Sequence, residues 1–583
     1  MKVPTLPRAA PRAAPRVAQR VAQRVAESDA RRPGEHVFLC ATAAVLALAI
    51  GCVPPGGGSA GSSRGDGQIV SQRDEVRVVS TFADVRAVSV SRRYVFAATT
   101  GGISVYDRLF DRWLAPLARD GGLQDGQITF MSADPGEDAV WIGVPGAVLM
   151  YRPQTEQLQR TMITGVPDAI VFAKAAGGDA YVRASGQWSR LSRIGSVTSV
   201  SGPPVAGSYI VPSTLNEVYT RYPALRSGSP LLFRSQQSDR ALRPYQVVAG
   251  AIAPDQPNDV WLGTNGDGLY RVDAAVQQAT PLRYGLMERG VGAVALGAGG
   301  VWAAGLGMSS LRGGVSFATN DLQRWRWIDG TIAVPLLGVR ATSLAVRAQR
   351  AWIGTDRGLV RILIDRTEAM ARWTLLDGLP DDRVFAIAPR GDGAWVGTAR
   401  GLVYVTDSIN ARNARSGGIG ARLLENTPVY ALQFIGDTLW IGTEAGLVAL
   451  LPTGELTQPR SVDPALRRRV TALAWSDSVL LAGANDGVLQ LRPGGAFEPT
   501  RLMALDVAQV GQLTRLAMDD RSIVMVGTDG MLVLQRAGGV RVLAAPRDIP
   551  GPVLDVALAQ DWIWLATPDG LVRLRRAGDG GVP

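Results

Sequence analysis

The stretch "GAWVGTARGLVYV", residues 393–405, decides the fold. It reads as a strand, a tight turn and a second strand, with "WVG" in the first strand and Gly401 just past the turn. Near copies stand at 260–272 ("VWLGTNGDGLYRV"), 351–362 ("AWIGTDRGLVRI") and 439–450 ("LWIGTEAGLVAL"). Aligning the aromatic of each copy, or the residue that replaces it, gives Phe96, Trp141, Tyr181, Tyr219, Trp261, Trp302, Trp352, Trp395, Trp440, Leu480, Met525 and Trp564.

These positions recur at a period of about 42 residues, and a period of that size with four short strands per unit is the signature of a β-propeller. The unit around Trp395 supplies the four: "RVFAIAP" (383–389), "GAWVGT" (393–398), "LVYVT" (402–406) and "ARLLE" (421–425). One such sheet has two apolar faces and cannot stand alone, so the units must stack into a ring. The expected fold is all-β, with about 12 four-stranded blades. Because a single ring typically holds four to eight blades, they are expected to form two rings. The longest interval, between Trp302 and Trp352, points to two six-bladed rings, residues 71–330 and 331–583; seven plus five is the alternative.

Within the phrase, residues two apart share a face of the strand. The residue two after the aromatic is small: Gly143 after Trp141, Gly263 after Trp261, Gly354 after Trp352, Gly397 after Trp395, Gly442 after Trp440, and Ala after Trp302 and Trp564. An indole beside an imposed vacancy is a device for nesting one sheet on the next, so these positions are read as structural. The Gly after the Thr (Gly358, Gly401, Gly446) fits a hairpin that needs positive φ. The last unit stops after three strands, whereas the chain opens on an orphan strand, "EVRVVS" (75–80). That strand is expected to complete the C-terminal blade, since an open edge is otherwise left.

Residues 1–51 read as a basic leader and lipoprotein signal peptide. They hold eight of the basic residues against three acids, ahead of the apolar run "VFLCATAAVLALAIGCV" (37–53). "LAIGC" resembles a lipobox, which places lipidation at Cys52 and a Gly/Ser-rich flexible tether at 52–70. The expected location is extracytoplasmic and lipid-anchored: at the outer membrane, facing the periplasm or the cell surface. The membrane is then a partner through that lipid. Of the formal charge of +10, half lies in this leader. The rest is spread over a long chain, and no nucleic-acid partner is expected.

The only His, His36, and the other Cys, Cys40, lie in the leader. From Cys52 onward there is no imidazole or second thiol for hydrolysis, phosphorelay or metal ligation, and no cofactor, metal or catalytic residue is expected. Carboxylates at Asp267, Asp381, Asp382, Asp486 and Asp569 all sit in turn sequences, where Asp caps backbone N–H groups. The Gly-rich runs follow no phosphate-binding pattern.

The segment "WTLLDGLPDDRVFAIAPRGDGAWVGTARGLVYV" (373–405) resembles the two-component regulator propeller repeat, with losses elsewhere and a fading between 155 and 250. The resemblance implies the propeller fold and a sensor-like role in binding ligands, glycans among them. The expectation is therefore a non-enzymatic extracytoplasmic protein, sensor- or scaffold-like, that binds a protein or glycan. The alternatives are a carboxylate-dependent carbohydrate-active enzyme and an envelope-assembly scaffold. Ligand-binding residues are unassigned; the region where the repeat fades, 155–250, is the first place to look for them.

Overall fold

The computed structural model describes residues 76–576, less 118–122, 124–127, 175–177, 206–207, 227–245, 298, 309–312, 331–333, 407–418, 459–466, 485–486, 493–499, 504–509 and 537–538. The leader, Cys52, the tether and Asp486 lie outside the described residues. Among those described, the chain forms eleven antiparallel sheets, ten of four strands and one of five. We number the sheets in chain order: 1 (85–113), 2 (130–162), 3 (167–210), 4 (247–282), 5 (291–329), 6 (341–373), 7 (384–423), 8 (429–457), 9 (470–503), 10 (513–544) and 11 (555–575). The first strand of the chain, β1 (Val76–Val79), pairs antiparallel with the last strand of sheet 11, Val79 opposite Leu571 and Val76 opposite Leu574.

The innermost strands of sheets 5 to 11 follow one another side by side, and the innermost strand of sheet 11 returns to that of sheet 5. This cycle closes on seven sheets. Sheets 1, 2 and 3 are likewise neighbours in series, and sheet 4 returns to sheet 1. The six-plus-six partition with a boundary at 330/331 is therefore corrected: sheet 5 belongs with the C-terminal series, because its faces meet sheets 6 and 11. The long interval before Trp352 reflects the longer hairpin between Gly305 and Gly314 inside sheet 5, eight residues where sheets 6 and 8 have two, and not a ring boundary.

The occupants of the small positions show how each ring nests. A Cβ added to Gly354 would lie 2.6 Å from Val384 Cγ1, one on Gly397 2.6 Å from Val429 Cγ1, and one on Gly263 2.4 Å from Val85 Cγ1. In each case the intruder is the first residue of the innermost strand of the next sheet. The contact of Gly263 with Val85 is the one that joins sheet 4 back to sheet 1. Beside these positions Trp261, Trp302, Trp352 and Trp564 are fully buried. Each such indole removes roughly 150–250 Å² from water, worth about 4–6 kcal/mol at most. In sheet 9 Gly483 takes the nesting place, filled by Leu513, and the residue two before it is Leu481. The aromatic position of that unit is thus Leu481, one later than the Leu480 expected.

The unit assigned to Tyr219 is not a sheet. Residues Leu215–Arg221 form a helix, α1, whose N-cap Thr214 accepts a hydrogen bond from the Glu217 N–H. Leu215, Val218, Tyr219 and Tyr222 form a helical stripe at i, i+3, i+4 and i+7. They pack on Ile252, Leu262 and Tyr270 of sheet 4.

Candidate functional site

The register of the sheets sorts the loops of the seven-sheet ring onto two ends. In sheet 7, Val384 stands opposite Thr398, Thr398 opposite Gly401, and Leu402 opposite Leu423. The start of the innermost strand, the Thr-x-x-Gly turn and the connector from the preceding sheet therefore share one end, which we call the mouth. The turns themselves are closed by the buried threonines: Thr355, Thr398 and Thr443 donate to the carbonyls of Gly358, Gly401 and Gly446 at 2.7, 2.9 and 2.8 Å. The glycines have φ of 117°, 146° and 116°. These short turns leave the longer connectors and the first residues of the inner strands to shape the surface.

At the mouth each inner strand from sheet 5 to sheet 10 carries a bulge at its second residue: Gly292, Thr342, Phe385, Tyr430, Thr471 and Thr514. A bulge breaks the two-residue alternation and re-aims the side chain. Thr342 and Thr471 donate across to the carbonyls of Val384 and Leu513 on the next sheet. Phe385 and Tyr430 cannot, and instead stack on each other with centroids 5.4 Å apart and planes at 23°. The Arg469 guanidinium lies over the Tyr430 ring at 4.5 Å. The Tyr430 hydroxyl donates to Glu444 Oε2 at 2.7 Å, and Arg469 Nε is 3.5 Å from the same oxygen. Partial burial, with the carboxylate alongside, raises the Tyr430 phenol above its ordinary value, and Arg469 opposes the rise.

Below the mouth, Arg515 of sheet 10 reaches the carbonyl of Thr342 on sheet 6 at 3.2 Å and the Asp555 carboxylate at 3.5 Å. Asp555 also accepts the Val294 N–H of sheet 5 at 3.0 Å. One guanidinium thus ties together four inner strands, directly or through Asp555. Burial raises the Asp555 carboxyl above its usual range, with Arg515 pulling the other way. Its oxygens are engaged by structural donors, so the pair is a brace.

The carboxylates singled out in turns are similarly occupied. Asp381 accepts the Arg383 N–H and Nε at 2.9 and 3.1 Å, and Asp382 accepts the Leu375 N–H at 2.6 Å. Asp267 is buried against the Tyr270 hydroxyl and Arg283, while Asp569 meets Arg289 at 2.8 Å. The repeat tryptophans lie within the sheets: Trp141 Nε1 donates to Asp134 at 2.9 Å, Trp302 Nε1 to the Gly297 carbonyl at 3.2 Å, and Trp395 packs on Tyr404. Among the described residues no group of three or more His, Cys, Asp or Glu could hold a metal ion, and no helix is long and apolar enough to cross a membrane.

Phe385 and Tyr430 were legible by a comparison across units. "RATSL" (340–344), "RVTAL" (469–473) and "QLTRL" (512–516) place Thr where "RVFAI" (383–387) and "PVYAL" (428–432) place an aromatic.

No family model matches the chain, and neither does any curated protein. Solved structures similar to it include PorZ, a surface component of the type-IX secretion system of Porphyromonas gingivalis, at 13% identity and a TM-score of 0.46 over 86% of this chain and 87% of that one. The extracellular domain of the two-component system BT4673 from B. thetaiotaomicron is 11% identical, with a TM-score of 0.37 over 84% and 70%. Virginiamycin B lyase from Staphylococcus aureus is 11% identical, with a TM-score of 0.39 over 50% and 96%. The eleven antiparallel sheets and the closed cycle of seven of them make the chain an all-β protein of the propeller type.

Proposed function

We propose that this chain is a non-enzymatic, extracytoplasmic binding protein, anchored by a lipid at Cys52, that recognises its partner at the mouth of the seven-sheet ring. The observation that carries the reading is the Phe385–Tyr430 stack with Arg469 and Glu444 at its edge. Two aromatic side chains occupy positions that the neighbouring sheets fill with ring-closing threonines, so they are not needed to hold the ring. Aromatic and Arg side chains with a polar rim are the anchors that binding surfaces favour. The engagement of Asp381, Asp382 and Asp555 by their own loops and strands also favours binding over carboxylate chemistry. The resemblance to the regulator propeller repeat supports a sensor- or scaffold-like role.

The test compares wild type with Phe385→Ala/Tyr430→Ala for capture of proteins and glycans from the cell envelope. The double variant, if it melts as wild type does, is expected to lose its captured partner by at least about tenfold, as for a central anchor worth 1.4 kcal/mol or more. Undiminished capture would retire the mouth as the binding face. Lipid labelling of wild type against Cys52→Ala tests the anchor separately.

A further inference from the structure

Each sheet carries, at the end opposite the mouth, the turn from its third strand to its outermost one. In sheet 1 that turn presents Leu109 and Phe110, 71% and 59% exposed. In sheet 3 it presents Ile194, 89% exposed, and in sheet 4 Val276, 66% exposed. The described turns at the same place in sheets 5, 6 and 8 expose no large apolar side chain, and Leu322 and Ile364 in two of them are buried.

The exposed tips are held in place. The Asp107 carboxylate accepts the N–H groups of Leu109 and Phe110 at 3.1 and 3.3 Å, and Asp273 accepts those of Ala275 and Val276 at 2.9 and 3.4 Å. Phe110 and Val276 therefore occupy one position, three residues after a capping Asp. In sheet 3 the Ser192 hydroxyl accepts the Ser196 N–H at 3.0 Å, and Arg193 is tied to Asp134 and Glu137 of sheet 2 at 2.9 and 2.8 Å. Turns pinned in this way keep apolar side chains in water, which marks a contact surface.

Sheets 1 and 5 point the same way, which puts the tips on the side of the molecule away from the mouth. At their mouth ends, Thr81 bridges to Gly285 and Leu286, and the Gly268 N–H donates to the Ala83 carbonyl at 2.9 Å. At the opposite ends, the Gln323 side chain in the outer turn of sheet 5 accepts the Trp113 N–H at 2.8 Å and donates to the Trp113 carbonyl at 3.0 Å. Trp113 follows directly on the turn that bears Leu109 and Phe110.

We infer that these tips seat this end of the protein on a lipid bilayer, with their apolar side chains among the headgroups and the mouth turned away. The inference rests on the reading of the chain as lipid-anchored. Val76, the first described residue, stands opposite Leu574 at the same end, so the chain that leads from Cys52 joins the sheets on the side of the tips. The tips stand apart, one to a sheet, and the polar turn of sheet 2, residues 153–156, lies in series between those of sheets 1 and 3. A protein partner is recognised by a continuous patch, whereas a bilayer takes up several separate apolar points in one plane. The Arg93 and Arg112 guanidiniums lie 5.2 and 5.3 Å from the Phe110 ring, where they can reach lipid phosphates while the ring goes deeper. Exposed charge at this end is mixed, Arg92, Arg112 and Lys174 against Asp111, Glu156 and Asp273. The contact is therefore driven by apolar burial and not by anionic lipid.

The experiment measures co-flotation of the Cys52→Ala protein, which cannot carry the lipid, with vesicles of phosphatidylethanolamine and phosphatidylglycerol. Two further variants are made in that background, Leu109→Ser/Phe110→Ser and Ile194→Ser/Val276→Ser. All four side chains are exposed, and matched melting temperatures confirm that the variants fold. The Cys52→Ala protein is expected to float with the vesicles, and each pair of substitutions to weaken its association by about tenfold or more. Raising the salt from about 0.1 to about 0.5 M should leave the association nearly unchanged. Hydrogen exchange on the vesicles should slow at 107–112, 192–197 and 273–278 and stay as it was at the 398–401 turn of the mouth. No flotation, equal flotation of the variants, or flotation abolished by salt overturns the inference. So does loss, in the tip variants, of a protein captured from the envelope by a chain that does not float, which would make the tips a protein contact. Because Cys52 is already replaced, these outcomes are independent of its lipidation, and capture at the mouth is read separately through Phe385 and Tyr430.

Discussion

Gly397 and Val429 belong to different sheets, yet the absence of a Cβ on the first is what admits the second: an added Cβ would stand 2.6 Å from Val429 Cγ1 and 2.9 Å from its carbonyl oxygen. Gly397→Ala should therefore force sheets 7 and 8 apart and lower stability by about 1–3 kcal/mol, the range for overpacking a dense core. Val429→Ala should cost a similar amount through the cavity it leaves. The two together should cost less than their sum, because the smaller residue at 429 accommodates the added methyl group. Urea denaturation of the four proteins of this cycle measures the coupling; strict additivity would contradict the nesting.

Removal of β1 should expose the outer edge of sheet 11 and uncover apolar surface that Val76 and Val78 share with sheet 10. The measurement is hydrogen exchange across Leu571–Arg575. Protection there should fall in a protein lacking residues 71–81, with a lower melting temperature for the seven-sheet ring. Unchanged protection would show that the edge does not depend on β1.

The Asp555 carboxyl is raised by burial, so the folded protein holds its proton at a pH where the unfolded chain has released it. The sign follows: as pH rises from the ordinary carboxyl pKa through the raised one, this group takes stability away. Asp555→Asn keeps an acceptor for the Val294 N–H and carries no charge. The stability of Asp555→Asn minus that of wild type should therefore grow from about pH 4 upward and then level off. Chemical denaturation at intervals between pH 4 and 8 reads this directly, and a gap that shrinks with rising pH would refute it.

Burial pushes the Tyr151 phenol up to about 12, and it raises Tyr106 and Tyr284 still further. Folded protein binds these protons more tightly than the unfolded chain does, so stability is lost as pH rises above the ordinary tyrosine value near 10. Absorbance titration at 295 nm should show these three silent until the alkaline unfolding transition, where they ionise together. Gradual ionisation below it would mean that their sites admit water.

Much of the ring could be read from the chain because its joinery is local in sequence. Trp395 and Gly397 are two residues apart on one strand, and a period of about 42 residues repeats them. The same periodicity misled at Tyr219, where an interval of the right length concealed a helical stripe and its Thr214 cap. The ring partition lay outside what spacing reports, since it is fixed by which sheet fills which vacancy, as Val85 does at Gly263. At the mouth, Phe385 reads as part of an alternating strand, 383–389. A bulge changes the direction of the side chain without changing composition, so alternation within one strand does not show its stack on Tyr430; only the comparison of this position across units marks the pair. The abundance of Arg over Lys has structural uses. Arg347, Arg390 and Arg521 each reach a backbone carbonyl on the next sheet, at Pro389, Gly436 and Gln560.

The pairing of Val79 with Leu571 also sets the order of events as the chain is made. β1 is the first described strand to be synthesised, and its partner is the last. Sheets 1 to 10 are complete before that strand is made, but the seven-sheet ring must await it. Until then β1 is an unpaired edge, open to strands of other chains, and its capture is a contact of very long sequence separation, the slow kind. The circular permutant that moves β1 to follow Arg575 would make this step local, and a gain in refolding rate without a change in final stability is what the topology requires of it.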